Sequence, residues 1–268
     1  MTVLVTGARG AIARSLIRQL LDHGTEVRAA SRAPENTPLP EGVQCVLFDP
    51  AAPETLAPAL EGVDKVFLYA GQENVGNVVD AAKKSGVEHI VLLSSAAVSG
   101  PDGGDNEIGR SHRKGEVPVE ESGIPWTFVR PAMFATNALW WRESIVEEDL
   151  VRVPYPDAQV NPIHEGDIAK VAFTALTQDG HEGKAYLVDG PGHLTQRRQI
   201  ELIGEARGKD IAVEDLPRAV AEQFMPVELL DMLASGEVLR YGGTSEAVTG
   251  EPARTFEQWA ADHADDFR

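Results

Sequence analysis

Short apolar runs rich in β-branched residues alternate with amphipathic segments along the first two thirds of the chain. Such runs are typical of buried strands, whereas apolar residues repeated at a spacing of three and four indicate helices. The runs that predict strands cover residues 2–6, 26–31, 43–48, 63–69, 88–94, 126–130 and 184–189. Helices are predicted between them, for example over 75–85 and 107–122, and a final amphipathic helix is predicted over about 255–267. This alternation predicts an α/β fold built on a doubly wound parallel sheet.

The first strand–helix junction carries a glycine-rich turn, Gly7-Ala8-Arg9-Gly10-Ala11-Ile12-Ala13. Gly7 allows a sharp turn, Gly10 lets the backbone approach a pyrophosphate, and Ala13 lets helix and strand pack closely. Free N–H groups at the helix N-terminus would bind the phosphates. Because the turn lies between a predicted strand and a predicted helix, we interpret it as a Rossmann-type dinucleotide site rather than a chance spacing in a loop. The residues predicted to surround the cofactor here are Thr6, Gly7, Arg9, Gly10, Ala11 and Ile12.

The end of the second strand indicates which dinucleotide binds. NAD sites usually place Asp or Glu there, and that carboxylate repels a 2′-phosphate. This chain has Ser31-Arg32 instead. A guanidinium and a hydroxyl can both donate to a phosphate, and Arg9 in the glycine turn is a second candidate cation. We therefore predict NADP(H) as the cofactor; the alternative is that both arginines are ordinary surface charges.

Further candidate residues follow the other strands, because ligands of parallel sheets bind beyond the carboxyl ends of the strands. Asp49 follows the third strand and would either meet the adenine end of the cofactor or cap the next helix. Ala70 and Gly71 close the fourth strand, and Ser94 and Ser95 follow the fifth. The sequence therefore predicts that these residues surround one crevice.

Composition narrows the class of protein. The chain has 24 basic and 42 acidic residues, a net charge of −18, which argues against a basic face for nucleic acid or an anionic membrane. No apolar run is long enough for a transmembrane helix, and the single cysteine, Cys45, excludes an internal disulfide. We expect a soluble cytoplasmic protein, a monomer or homodimer, whose partner is a small-molecule substrate. The histidines show no metal-ligand spacing, so no metal site is predicted.

Four segments of the chain combine into a family pattern. They are 5–13 (VTGARGAIA), 31–32 (SR), 62–68 (GVDKVFL) and 122–131 (SGIPWTFVRP). Together they resemble the NmrA-like atypical short-chain dehydrogenase/reductases, which include quinone reductases and regulators that bind the dinucleotide without turnover. The resemblance runs to about residue 172. It implies an NADP(H)-binding Rossmann domain over 1–155, its sheet completed by about 160–190, and a small C-terminal α/β substrate-side cap over 191–268, interleaved with it.

The chain departs from the wider superfamily at its catalytic pair, a tyrosine followed four residues later by a lysine. In the corresponding window Ile108 replaces the tyrosine, and His112 replaces the lysine, as in some quinone-reductase-like members. His112 is the candidate to hold a ribose hydroxyl or to supply a proton, the alternative being an ordinary helix residue. Ser94 and Ser95 lie where the superfamily has its active-site serine. Either would bind a substrate carbonyl or merely satisfy the backbone at the strand end.

Apolar and aromatic side chains cluster after the sixth strand. Their position beyond a strand's carboxyl end predicts a substrate wall, although the same spacing is typical of core. The loop 96–106 is predicted to be mobile and close to the substrate. Further along, His164 and Asp167 introduce a helix and are interpreted as structural. The candidate substrate residues are Met133, Phe134, Asn137, Trp140 and Trp141.

The sequence thus predicts an NADPH-dependent oxidoreductase. It would reduce a ketone, quinone or conjugated carbonyl of a flat apolar molecule, such as an aromatic polyketide, without the Tyr-x-x-x-Lys pair. The alternative is a non-catalytic NADP(H)-binding redox sensor that acts through a protein partner, which the missing tyrosine favours. An epimerase or dehydratase for nucleotide sugars is a weaker third hypothesis, because such relatives generally rely on the tyrosine and the lysine.

Overall fold

A seven-stranded parallel sheet forms the centre of the molecule. The computed structural model describes residues 1–71, 73–99, 104–236 and 243–268. The strands of the described residues, seven of which form the central sheet, are β1 Thr2–Val5, β2 Glu26–Ser31, β3 Gln44–Leu47, β4 Lys65–Tyr69, β5 His89–Leu93, β6 Trp126–Pro131, β7 Leu150–Val153, β8 Gln159–Val160, β9 Lys184–Val188, β10 Leu194–Thr195 and β11 Ala212–Asp215. The central sheet has the order β3-β2-β1-β4-β5-β6-β9, and each neighbouring pair is parallel. This order, which changes direction between β1 and β4, is that of a Rossmann fold and confirms the predicted fold class.

Helices cover both faces of this sheet. The helices that cover it are α1 to α4 and α6. The helices of the described residues are α1 Ala11–Asp22, α2 Leu56–Leu60, α3 Val75–Ser85, α4 Glu107–Glu121, α5 Arg142–Glu148, α6 Glu165–Thr177, α7 Gln196–Arg207, α8 Arg218–Ala221, α9 Val227–Ser235, α10 Ser245–Thr249 and α11 Phe256–Asp262. Because successive strand side chains point to opposite faces, Val3 and Val5 of β1 pack with α1 and α6, whereas Leu4 packs with α2, α3 and α4. Among the described helices, none has the length and apolarity needed to span a bilayer.

A third core lies beyond the sheet and joins two distant parts of the chain. Strand β7 pairs with β11, and β8 pairs with β10, in two small sheets. Ile145 and Val153 pack in one cluster with Ile200, Trp259 and Phe267. Segments on both sides of residue 155 therefore share this core. The predicted domain boundary near that residue stays a prediction.

The C-terminal helix predicted over 255–267 is interrupted at His263. Helix α11 ends one residue earlier, and Ala264–Phe267 form a 3₁₀ turn. The imidazole of His263 is bonded to Glu165 Oε1 at 2.8 Å and to Asp266 Oδ2 at 2.6 Å. The prediction of one continuous helix is therefore wrong, because these contacts and the backbone conformation of His263 (φ −105°, ψ 10°) stop the helix there.

The first turn of α6 holds the C-terminal segment. His164 caps this helix, its Nδ1 accepting from Gly166 N at 2.9 Å. Asp167 accepts from the backbone N and from Nη1 of Arg254, each at 2.6 Å. Both residues thus serve the fold, in agreement with their structural interpretation from the sequence.

Candidate cofactor and active site

A cavity of about 750 Å³ opens where the chain leaves β1, β2, β3, β4 and β5. This is the edge of a doubly wound sheet at which ligands bind. The structure thus brings together most of the predicted cofactor residues, including both arginines predicted to contact a phosphate. It adds one of the two candidate serines and one residue of the aromatic stretch. The predicted residues that line the cavity are Thr6, Gly7, Arg9, Gly10, Ser31, Arg32, Asp49, Gly71, Ser94, His112 and Phe134.

The glycine turn forms the part of the cavity next to α1. Gly7 has φ +63°, a conformation that favours glycine. A Cβ atom on Gly7 would lie 2.6 Å from the ring of Tyr69, and one on Gly10 would lie 3.3 Å from the carbonyl oxygen of Gly7. Gly10 is the N-cap of α1 and has no side chain to cap it, so the first-turn N–H groups other than that of Ala13 can donate to phosphate oxygens. Ala11 and Ile12 begin α1 and do not line the cavity, so the structure does not group them with the other predicted cofactor residues.

Tyr69 is a cavity residue that the sequence did not single out. Its ring lies against the glycine turn, and its hydroxyl accepts a hydrogen bond from the backbone N–H of Ala13 in the first turn of α1. Burial raises the pKa of Tyr69 to about 12, so the phenol is neutral at physiological pH. A neutral phenol that accepts from Ala13 keeps its own proton available for donation towards the cavity.

Two cationic side chains line the cavity. Arg9 and Arg32 are both exposed and both line it. Ser31 is buried, and its Oγ accepts from Ala33 N at 3.1 Å, while none of the described residues accepts its hydroxyl proton. Asp49 Oδ1 accepts from Ala51 N at 3.0 Å, so this carboxylate braces the turn after β3 as well as lining the cavity. The glycine cradle and these donors fit the pyrophosphate and the 2′-phosphate of NADP(H).

The hydrogen bonds of His112 fix the tautomer of its neutral ring. Nδ1 lies 2.9 Å from the carbonyl oxygen of Ile108, so Nδ1 must carry a proton and donate it. Nε2 lies on the cavity side, 3.4 Å from where a Cβ atom on Gly71 would stand. The neutral ring therefore presents an acceptor to the cavity, and only the imidazolium presents a donor. Ile108 itself is 46% exposed and carries no proton that it could donate.

The two candidate serines differ in their surroundings. Ser95 Oγ accepts from Ala97 N at 3.2 Å and does not line the cavity, so its hydroxyl satisfies the backbone of the next turn. Ser94 is 2% exposed and lines the cavity. Its Oγ has no hydrogen-bond partner among the residues that the structure describes. A buried hydroxyl of this kind is costly unless a ligand pairs with it, and it is the candidate that can bind a substrate oxygen.

The predicted substrate residues separate into two groups. Phe134 lines the cavity, whereas Trp141 packs against the third core and Trp140 is 76% exposed. Met133 and Asn137 also lie outside the lining; the Met133 carbonyl accepts from Ile163 N. Ala70 lies outside it as well, since its carbonyl faces α4. Within the predicted mobile loop 96–106, residues 100–103 lie outside the described part of the chain.

Several further residues line the cavity that sequence analysis missed. All stand at the ends of strands or in the turns that follow them, which is the signal that could have found them. They are Ala30, Phe48, Pro50, Ala51, Tyr69, Glu73, Asn74 and Leu93.

Comparisons with known proteins identify the family of this chain. A family model described as NAD(P)H-binding matches residues 7–179. The (4-alkanoyl-5-oxo-2,5-dihydrofuran-3-yl)methyl phosphate reductase of Streptomyces griseus is 39% identical, over 99% of this chain and 99% of that protein. The NAD(P)H azoreductase of Xenophilus azovorans is 36% identical, again over 99% of each chain. The crystal structure of an NADPH-dependent quinone oxidoreductase from Escherichia coli matches with a TM-score of 0.76 at 24% identity, covering 97% of this chain and 98% of that one.

The family match covers more than half of the chain, and both reductases align with almost all of it. The similarity to the crystal structure shows the shared fold. These findings confirm the resemblance deduced from the four segments 5–13, 31–32, 62–68 and 122–131. The chain therefore belongs to the NAD(P)H-binding, NmrA-like family.

Proposed function

We propose that this protein reduces a conjugated carbonyl compound, either a quinone or a ketone conjugated with a double bond, at the expense of NADPH. When bound, NADPH supplies a hydride, which carries both electrons, and leaves as NADP⁺. The substrate takes the hydride at an electrophilic carbon and a proton from a donor or from water. The observation that carries this proposal is the buried, unpartnered hydroxyl of Ser94 in a cavity that also contains His112 and Phe134.

Ser94 and His112 have different roles in this proposal. The Ser94 hydroxyl donates to the substrate carbonyl oxygen and withdraws charge from the conjugated system as hydride arrives. Nε2 of neutral His112 accepts from a hydroxyl, such as one on the nicotinamide ribose, and the imidazolium form donates a proton. Phe134 offers an apolar surface to a flat ring. The protein's main contribution is therefore to position the two reactants.

The absence of a tyrosine at position 108 favours quinones and conjugated carbonyls over simple ketones. An isolated ketone becomes a strongly basic alkoxide and needs an acid close by, whereas a reduced quinone is a stabilised phenolate. The relatives support this choice. The Streptomyces griseus protein is named for a substrate with an alkanoyl and a ring carbonyl group on a dihydrofuran, and the Xenophilus azovorans protein for reduction of azo compounds.

We assign NADPH rather than NADH as the preferred cofactor. Arg9 and Arg32 both line the cavity, and position 32 lacks the carboxylate that would repel a 2′-phosphate. The hydroxyl of Ser31 adds a further donor.

The test is NADPH consumption with a panel of quinones, polycyclic aromatic ketones and unsaturated lactones that carry a second carbonyl, with NADH measured in parallel. We expect turnover of conjugated acceptors and a kcat/KM at least tenfold higher with NADPH. The variant H112Q should lower kcat, whereas S111A, which alters the preceding exposed residue, should not. Tight NADPH binding without turnover of any acceptor would contradict the proposal.

The replacement of the tyrosine by Ile108 also favours a second candidate, a redox sensor that acts through a protein partner. In that case a partner would be retained on the immobilised protein with NADPH and released with NADP⁺, or the reverse. Equal retention in both cofactor states would exclude the sensor.

A further inference from the structure

We infer that Glu116 and Arg130 are positioning residues that hold α4, and His112 on it, in the geometry required for reduction. This inference rests on the role proposed above for His112. Neither Glu116 nor Arg130 lines the cavity. Their effect on the reaction would be transmitted through the backbone of α4.

The two side chains form a forked ion pair between α4 and β6. Arg130 Nε donates to Glu116 Oε1 at 2.8 Å, and Arg130 Nη2 donates to Glu116 Oε2 at 2.8 Å. Glu116 is completely buried, and the Arg130 side chain is 15% exposed. Arg113 adds a third donor to Glu116 at 3.2 Å. A planar, two-bond contact of this kind fixes orientation as well as distance, and burial shields it from water and salt.

The same guanidinium also reaches the turn that follows the serines. Arg130 Nη1 donates to Ser99 Oγ at 3.0 Å. Ser99 ends the 3₁₀ segment that begins directly after Ser94 and Ser95. One side chain on β6 is therefore bonded both to the helix that carries His112 and to the turn that follows Ser94.

Two glycines of α4 pack directly against the backbone of neighbouring segments, so there is no space in which the helix could shift towards them. A Cβ atom on Gly115 would lie 2.3 Å from the carbonyl oxygen of Ala70, and one on Gly109 would lie 2.8 Å from that of Ala97. These contacts fix how closely α4 approaches the sheet, and the Glu116 fork fixes its rotation. His112 lies one turn before Glu116 on the same side of the helix, so a rotation that moves one moves the other.

The decisive variant is E116Q, with E120Q as its matched control. Glutamine has the shape of glutamate but places an NH₂ group against the guanidinium, which disrupts the fork. Glu120 lies one turn further along α4, is bonded to Arg113 at 2.6 Å, and is partly exposed. We expect E116Q to lower kcat about 10- to 100-fold, as displacement of a reacting group by about 1 Å does. The NADPH Kd should change less than threefold, because the glycine turn and Arg32 bind it elsewhere, and E120Q should behave as the parent.

A second variant, R130K, keeps the positive charge and loses the fork. It should fold and show an intermediate loss of kcat, which provides a test if E116Q is unstable. A purely structural role predicts a different result: a lower melting temperature with the parental kcat in the folded fraction. Parental kcat in folded E116Q or in folded R130K would overturn the inference.

A double-mutant comparison separates this inference from the proposed function. If Glu116 acts through His112, E116Q should cause little further loss of kcat in an H112Q background, and additive losses would contradict the inference. If the parent protein turns over no acceptor, the proposed function fails. The inference is then tested by the imidazole NMR signal of His112, which should shift on NADPH addition in the parent and in E120Q. An equal shift in E116Q would overturn it.

Discussion

Acidification should destabilise this protein through one buried imidazole, that of His89. The residue begins β5 and is 2% exposed. Its Nε2 lies 3.0 Å from Thr127 Oγ1, whose own proton is donated to the carbonyl of His181 at 2.7 Å. His89 must therefore donate through Nε2, and its Nδ1 is buried without a partner among the described residues. A second proton would have to go on this unpartnered atom.

Burial, assisted by the neighbouring charge of Lys65, lowers the pKa of His89 from 6.5 to about 4. The unfolded chain thus binds a proton at a higher pH than the folded protein does, and stability falls as the pH is lowered through this interval. With these two pKa values, the free energy of unfolding falls by about 2 kcal/mol between about pH 7 and pH 5, and by about 3 kcal/mol by about pH 4.

The assay is denaturant-induced unfolding of the parent and of H89Q at several pH values between about 5 and 7.5. Glutamine keeps a donor for Thr127 but does not titrate, so the variant should lose about 2 kcal/mol of pH dependence. His263 provides a control of opposite sign: despite burial, its hydrogen bonds to Glu165 and Asp266 raise its pKa, so its stabilisation is lost as the pH rises. H263Q should therefore change the slope in the other direction. Identical pH dependence in the parent and in H89Q would refute the reasoning.

Four further variants test the site. R32A should raise the NADPH Kd about tenfold and leave that of NADH nearly unchanged, because one charge-assisted contact to phosphate contributes about 1.5 kcal/mol. Fluorescence titration measures both Kd values, and an equal loss of affinity for both cofactors would contradict the assignment of NADPH. S94A should lower kcat/KM about tenfold without loss of stability, since it removes a buried hydroxyl with no described partner. S95A should cost about 0.5–1 kcal/mol of stability and leave kcat/KM unchanged. Melting curves and initial rates measure both effects, and the reverse pattern would exchange the roles of the two serines. Y69F should weaken NADPH binding several-fold and destabilise the fold by about 1 kcal/mol, because the Ala13 N–H loses its acceptor. An unchanged NADPH Kd would show that the phenol does not contribute to cofactor binding.

The central sheet could be predicted because its signal is local. Each strand is a short apolar run, and the alternation of Val3, Leu4 and Val5 already contains the division between the two faces of the sheet. The glycine turn is equally local, since Gly7 and Gly10 act through backbone geometry within a few residues. The third core has no such signal. Ile145 and Trp259 are more than a hundred residues apart in the chain, and only the folded structure packs them together.

The same distinction explains where the cavity lining differs from the residues that the sequence indicates. Trp140 and Trp141 have the composition of a binding wall, but their directions depend on a 3₁₀ segment, which places one in solvent and the other against the third core. Tyr69 was overlooked for the opposite reason. It ends a strand as an ordinary aromatic residue, and its contact with the glycine turn arises only because β4 lies beside β1 in the sheet.

Ser94 and Ser95 show most clearly what adjacency in sequence cannot decide. Both follow β5, both carry a hydroxyl, and residue type alone assigns them the same chemistry. The difference is made by Ala97, whose N–H binds Ser95 and leaves Ser94 as the hydroxyl that faces the cavity without a described partner. A buried hydroxyl that the fold leaves unsatisfied costs stability, and such a cost is typical of sites where a ligand completes the hydrogen bond. The cavity therefore does not lack a hydrogen-bond donor although position 108 on α4 is not a tyrosine. The hydroxyl of Ser94, which follows β5, can donate to a substrate oxygen instead.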